Sequence, residues 1–97
     1  MRVRIIREAR EELADILRFV ARNNRTASDR LHASFQAAFA RLRMFPYSGN
    51  VRHNLPRSPR ALVVNPYIVL YAVASDEVSV VHIYDGRRDV KALLDDE

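Results

Sequence analysis

The sequence predicts an α+β fold, ordered β-α-α-β-β-β, in which a helical hairpin packs on a mostly antiparallel sheet. Three observations lead there. A short β-branched run opens the chain and then gives way to apolar residues spaced three and four apart. A second stripe of the same period follows after only a few polar residues, which makes the two helices antiparallel neighbours. Three apolar runs broken by turn residues then fill the second half of the chain.

The first element is a strand at Arg2–Ile6, carried by Val3, Ile5 and Ile6. Ala9, Leu13, Ile16, Leu17 and Val20 form one helical face, and Glu8, Glu11 and Glu12 lie where carboxylates favour the positive end of the helix dipole. Together they predict a first helix over Glu8–Arg22, with Asn23 and Asn24 as stops because asparagine tolerates left-handed backbone. Thr26-Ala-Ser-Asp29 has the spacing of a capping box. Leu31, Phe35, Ala38, Leu42 and Phe45 extend a second helix over Ala27–Phe45, widened by Phe39 and stopped by Pro46. The two helices are expected to pack through Leu13, Leu17, Val20, Leu31, Phe35, Leu42 and Phe45.

Pro46 to Pro59 reads as a loop. Beyond it, Ala61–Asn65, Tyr67–Ala74 and Val78–Tyr84 read as three strands of a meander, separated by Asn65-Pro66 and Ser75-Asp76-Glu77. The run Tyr-Ile-Val-Leu-Tyr-Ala-Val-Ala has little polar alternation, as a central strand covered on both faces should. Gly86 offers a positive φ to turn the chain after the last strand, and Val90–Asp96 has room for one or two helical turns.

At 97 residues the chain fits one domain, 1–97, and its 48% hydrophobic content suits a globular core. It has no cysteine, which excludes disulfides, thiol catalysis and cysteine-ligated metal. No apolar run approaches the ~18–20 residues that span a bilayer, and the charged N-terminal strand is unlike a secretory signal, so a cytoplasmic protein with no membrane contact is expected.

The charge is unevenly spread. The net value is +4, but Arg30 to Ser75 contains Arg30, Arg41, Arg43, Arg52, Arg57 and Arg60 and no Asp or Glu. Such a block suits an acidic partner, either nucleic acid or an acidic protein segment. A GC-rich genome would produce the same preference for Arg over Lys.

The search for catalytic motifs is largely negative. Gly49 and Gly86 are the only glycines, so there is no phosphate-cradling loop. His32, His53 and His82 lack metal-ligand spacing; His82, within a strand, reads as a hydrogen-bonded structural histidine and His53 as a solvated one. Tyr67, Tyr71 and Tyr84 read as packing residues, and Glu8, Glu11, Glu12 and Asp15 as dipole-compensating, solvated acids. No metal, cofactor or catalytic group is expected. Arg52, Arg57 and Arg60 in the loop, with Arg87 and Arg88 after the last strand, are the candidate binding residues. Guanidinium forks match phosphates and carboxylates, and a sheet that joined the loop to that turn would gather all five on one face. A merely solvated surface is the competing reading.

Four pieces of the chain carry a family resemblance: Glu8-Ala-Arg-Glu-Glu-Leu-Ala-Asp-Ile, Phe45-Pro-Tyr-Ser-Gly49, Pro66-Tyr-Ile-Val-Leu-Tyr71 and His82-Ile-Tyr-Asp-Gly-Arg-Arg-Asp89. In that order, over about Val3 to Leu94, they resemble the RelE/ParE superfamily of toxins of bacterial type II toxin–antitoxin systems. The resemblance implies a helical hairpin on an antiparallel sheet, a cognate antitoxin as partner, and one of two activities. RelE-like members cut mRNA on the ribosome; ParE-like members are implicated in poisoning DNA gyrase and have no known catalytic residues. The ribonucleases place an Arg after the Tyr of the central strand and a Tyr or His near the C-terminus. Here those places hold Ile68 and, near the second, Leu94; Arg88 does match the ribonuclease arginine that follows the last strand. Arg7 stands where many relatives have a helix-capping Ser or Thr. The resemblance therefore implies the ParE-like branch: an inhibitor of gyrase, neutralised by an antitoxin in a hetero-oligomer. A RelE-type ribonuclease and a non-toxic binding homologue are the alternatives.

Overall fold

Asn24 is the joint of the helical hairpin. In the computed structural model, which describes residues 1–88, it ends one helix and caps the next. Helix α1 spans Arg7–Asn23 and α2 spans Arg25–Met44. The Asn24 side chain accepts a hydrogen bond from the Ala27 N–H at 2.9 Å, while its own N–H bonds the Val20 carbonyl at 3.0 Å. Two sequence expectations give way here. Asn24 is extended (φ −156°), not left-handed, and it displaces the anticipated Thr26–Asp29 capping box because helix starts two residues before Ala27. Ser28 then locks the hairpin: its Oγ donates to the Leu17 carbonyl at 2.8 Å. At the other end of α1 the cap position is Ile6 and not Arg7, and no side chain caps it; Glu8 supplies the acidic first turn.

The sheet has five strands: β1 (Arg2–Ile5), β2 (Asn50–Val51), β3 (Arg60–Val64), β4 (Tyr67–Val73) and β5 (Glu77–Asp85). Their spatial order is β1-β5-β4-β3-β2, so β4 is central, as its apolar run predicts. The β2–β3, β3–β4 and β4–β5 pairs are antiparallel, and β1 lies parallel to β5 with Arg2 opposite Glu77. The two-residue β2 falls inside the anticipated loop, where it is too short to show a period. The β4–β5 register slips between Leu70 and Tyr71, which leaves Val81 as the extra residue of a bulge.

Alternation along β4 assigns its two faces. Val69 and Tyr71 turn to the helices and pack with Ala9, Leu13, Phe35, Phe39 and Leu42 and with Val78, Val80 and Ile83 of β5. Leu70 belongs to a second, smaller cluster with Leu55, Ala61 and Tyr84, where the Leu55 loop covers the sheet from the other side. Of the predicted helix-packing set, Phe35 and Leu42 are completely buried. Leu13 is buried, and Leu17, Val20 and Leu31 are half-buried. Phe45 is a correction: it lies one residue past α2, where Pro46 has already bent the chain off the helical stripe, and is 60% exposed.

Gly86 is needed for space and not for conformation. Its φ is not positive; a Cβ there would sit 2.9 Å from the Pro66 carbonyl oxygen, which already accepts the Gly86 N–H at 2.8 Å. The helical turns anticipated at Val90–Asp96 lie outside the described residues.

Candidate binding surfaces

The Arg-rich loop is shaped by its backbone. Arg52 N–H bonds the Pro59 carbonyl at 2.8 Å and Ser58 N–H bonds the Leu55 carbonyl at 3.1 Å, pulling residues 52–59 into a closed excursion. Between Pro56 and Pro59, Arg57 (φ 65°) and Ser58 (φ 46°) are both left-handed. Neither is glycine, so each position costs roughly 1 kcal/mol or more of backbone strain. The loop walls a cleft of about 670 Å³, with Arg57, Arg60, Tyr47 and His82 at its sides and Leu70 and Val81 among its apolar lining.

Arg60 is held in place from three sides. Its Nη1 donates to the Gly49 carbonyl at 2.8 Å and to the Tyr47 carbonyl at 3.2 Å, and its guanidinium carbon lies 5.0 Å from the centre of the Tyr47 ring. Beneath it, the buried Tyr71 hydroxyl accepts the Gly49 N–H at 2.8 Å. The segment leaving α2 is therefore tied to both β3 and β4. Arg52, half-buried, lies close enough to Tyr84 to oppose the upward shift that burial imposes on the Tyr84 phenol.

Arg87 and Arg88 border a different cleft, of about 490 Å³, with Glu12, Phe19, Tyr67 and Tyr84. Arg87 is engaged: its Nε meets Asp85 Oδ1 at 2.9 Å and its Nη2 meets Oδ2 at 2.5 Å. This bidentate hydrogen bond holds the Asp85 carboxyl well below its usual range, at about 2, and raises Arg87. Arg88 is exposed. The five candidate arginines thus do not share one cavity: Arg57 and Arg60 border the first cleft, Arg87 and Arg88 the second.

Glu12 differs from its sequence reading. Its Oε1 accepts the Ile83 N–H at 3.0 Å and lies 3.4 Å from His82 Nδ1, so it is a bridge between α1 and β5 and not a solvated acid. His82 is in turn the partnered strand histidine anticipated from its position. Tyr71 and Tyr84 are buried and Tyr67 packs at 5.9 Å from the Phe35 ring, as their strand placement predicts. Tyr47 enters the sequence reading only inside the Phe45–Gly49 segment and not as a site residue; the signal for it was its place between Pro46 and Ser48-Gly49, where a turn exposes a side chain. Among the described residues no three His, Asp or Glu side chains are grouped to hold a metal ion, and no helix is long and apolar enough to cross a membrane.

A helical hairpin thus lies on one face of a mixed sheet, with arginine-bordered clefts beside the strands. One solved structure, "Chromosomal ParDE TA system from P. aeruginosa", superposes with a TM-score of 0.75 over 88% of this chain and 95% of that one, at 16% identity, which establishes likeness of fold. Residues 3–90 match the family model "ParE toxin of type II toxin-antitoxin system, parDE", and the chain belongs to that family. Toxin ParE3 of Caulobacter vibrioides (strain ATCC 19089 / CIP 103742 / CB 15) is 34% identical over 85 residues, covering 86% of this chain and 84% of its own.

Proposed function

We propose that this ParE toxin is a non-enzymatic protein inhibitor of DNA gyrase, acting in the cytoplasm and held inactive by a cognate antitoxin. The observation that carries the non-enzymatic reading is Ile68. It is half-buried and packs against Leu55, Ala61, Leu70 and Tyr84, at the position where the resembling ribonucleases carry an arginine. In-line cleavage of RNA needs a base for the 2′-hydroxyl, an acid for the leaving oxygen and a charge to stabilise the transition state. An aliphatic side chain supplies none of these. The Tyr84 phenol, pushed up by burial, is a poor base near neutral pH.

What remains is recognition. Arg57 and Arg60 on one side and Arg87 and Arg88 on the other offer guanidinium groups to carboxylates or phosphates, and with Arg52 they are the proposed contacts for target or antitoxin. Arg88 is the one to test first, because Arg87 is already paired with Asp85. Purified toxin should inhibit gyrase supercoiling or trap cleavage complexes while leaving mRNA on translating ribosomes intact. Codon-specific mRNA cleavage with unaffected gyrase would overturn the proposal in favour of a RelE-type ribonuclease. Silence in both assays would favour a binding homologue.

A further inference from the structure

Six large apolar side chains are exposed among the described residues, and three of them, Met44 (73%), Phe45 (60%) and Tyr47 (63%), lie together at the C-terminal end of α2. They border a single shallow depression of about 560 Å³ with Arg41, Pro46 and Ser48. A fourth, Met1 (43%), joins the same end of the molecule, because the Met1 amino group donates to the Arg43 carbonyl at 3.0 Å. Exposed apolar groups scattered singly need no explanation; a contiguous group on a rigid support does. The support is rigid: the Tyr47 carbonyl is bonded by Arg60, the Arg60 guanidinium covers the Tyr47 ring, and Gly49 N–H is bonded by Tyr71. Pre-ordering of this kind lowers the entropy cost of docking.

The surroundings of the depression are cationic. Arg41 and Arg43 are both exposed in the last turn of α2, Arg60 adjoins Tyr47, and no Asp or Glu occurs between Arg30 and Ser75. Aromatic, methionine and arginine side chains around a small apolar centre are the composition of a protein-binding hot spot. Nucleic acid fits less well, because readout of base edges needs strong hydrogen-bonding groups, which the exposed Met44 and Phe45 side chains lack. We infer that the Met44–Phe45–Tyr47 surface docks an acidic, amphipathic segment of the antitoxin, whose apolar side chains cover Met44 and Phe45 and whose carboxylates meet Arg41 and Arg43. The inference rests on the antitoxin reading above and adds where that partner binds.

The test measures binding of full-length toxin to the small acidic protein encoded by the adjacent open reading frame. The Met44→Ser/Phe45→Ser double variant removes exposed groups only and should keep the parent circular dichroism and Tm. Its Kd should rise at least about tenfold, mostly through faster dissociation. Arg41→Glu/Arg43→Glu should instead slow association several-fold and flatten its salt dependence. Val63→Ser, at an exposed position on β3 (57%), is the control and should bind like the parent. If the parent binds and the Met44/Phe45 variant binds equally well, or if Val63→Ser is the variant that weakens binding, the docking site is wrong while the antitoxin reading stands. If the parent itself does not bind the neighbouring gene product, the antitoxin reading fails and the docking site falls with it. If the double variant instead binds a polythymidine oligonucleotide more weakly but the antitoxin unchanged, the surface serves nucleic acid and the inference is overturned.

Discussion

The carboxylate of Glu12, on α1, accepts the backbone N–H of Ile83, on β5, at 3.0 Å. The bond has a topological cause. Strand β1 pairs with β5 only from Arg2–Glu77 to Ile5–Val80, and the Ile6 N–H closes the ladder on the Val80 carbonyl at 3.1 Å. Beyond that point the chain has turned into α1, and the remaining edge of β5 has no strand beside it. Glu12 supplies the acceptor that a longer β1 would have supplied. A part-buried N–H left without a partner is costly, so a helix side chain here replaces a strand.

Replacing that acceptor should therefore be felt in stability. Glu12→Ala leaves the Ile83 N–H unpaired and should cost about 1–3 kcal/mol in urea unfolding, whereas Glu12→Gln keeps an acceptor oxygen and should cost about 1 kcal/mol. Amide exchange at Ile83 should accelerate in the alanine variant. Equal stability of all three proteins would show the bond to be incidental.

Phe35 is completely buried between α1 and the sheet, with its ring centre 6.3 Å from Phe39 and 5.9 Å from Tyr67. Phe35→Ala should cost ~3–5 kcal/mol, a large share of the ~5–15 kcal/mol typical of a domain. The loss should appear as a lower urea midpoint with an unchanged m-value.

The Tyr71–Gly49 bond makes a paired prediction. Tyr71→Phe removes the hydroxyl that accepts the buried Gly49 N–H and should cost about 1–3 kcal/mol. Gly49→Ala should be at least as harmful, because its Cβ would sit 2.6 Å from both the Ala61 carbonyl oxygen and the Tyr71 hydroxyl. Backbone cannot retreat as a flexible side chain does. Thermal unfolding of the two variants checks the order.

The Asp85–Arg87 pair sets a pH dependence. The Asp85 carboxyl is lowered from 3.8 to about 2 by its hydrogen bonds from Arg87. A depressed carboxylate contributes its stabilisation fully above the unfolded value and loses it as pH falls through the folded one. The pair should thus be intact above about pH 4 and lost as pH falls toward about 2. In Arg87→Ala the Asp85 carboxyl should move up toward 3.8 but stay below it, because the residue-87 backbone N–H still donates to Oδ1 and Arg88 remains nearby; carbon-detected NMR titration would resolve the rise.

The parts of this fold that depend on period or on short links were legible in the sequence, including the antiparallel pairing of β3, β4 and β5; the pairing of strands distant in the chain was not. The stripe through Leu31, Phe35, Ala38 and Leu42 placed α2, and the unbroken apolar run at Tyr67–Val73 identified the central strand. The parallel pairing of β1 with β5 left no trace, because alternation along a strand is the same for either direction of its neighbour. Phe45 continued the helical spacing but sits beyond the helix, so periodicity alone put it in the core. Glu12 was misread for a related reason: a carboxylate in the early turns of a helix has one composition and two uses. The candidate arginines were identifiable by charge, but their division between two clefts depends on how the strands are laid side by side.

The seam between β1 and β5 bears on how the protein is born. Strand β1 leaves the ribosome long before its neighbour in the sheet, since Arg2 waits for Glu77. Until then the helical hairpin has no β5 to lean on, and Ala9, Leu13 and Phe35 lack Val78, Val80 and Ile83 as packing partners. Long-range closure of this kind is slow and leaves the unfinished chain sticky. A truncated translation product that stops short of β5 therefore cannot be a smaller poison. It lacks the strand that joins β1 to the rest of the sheet and completes the core beneath the helices, and the apolar surface left bare invites aggregation and proteolysis.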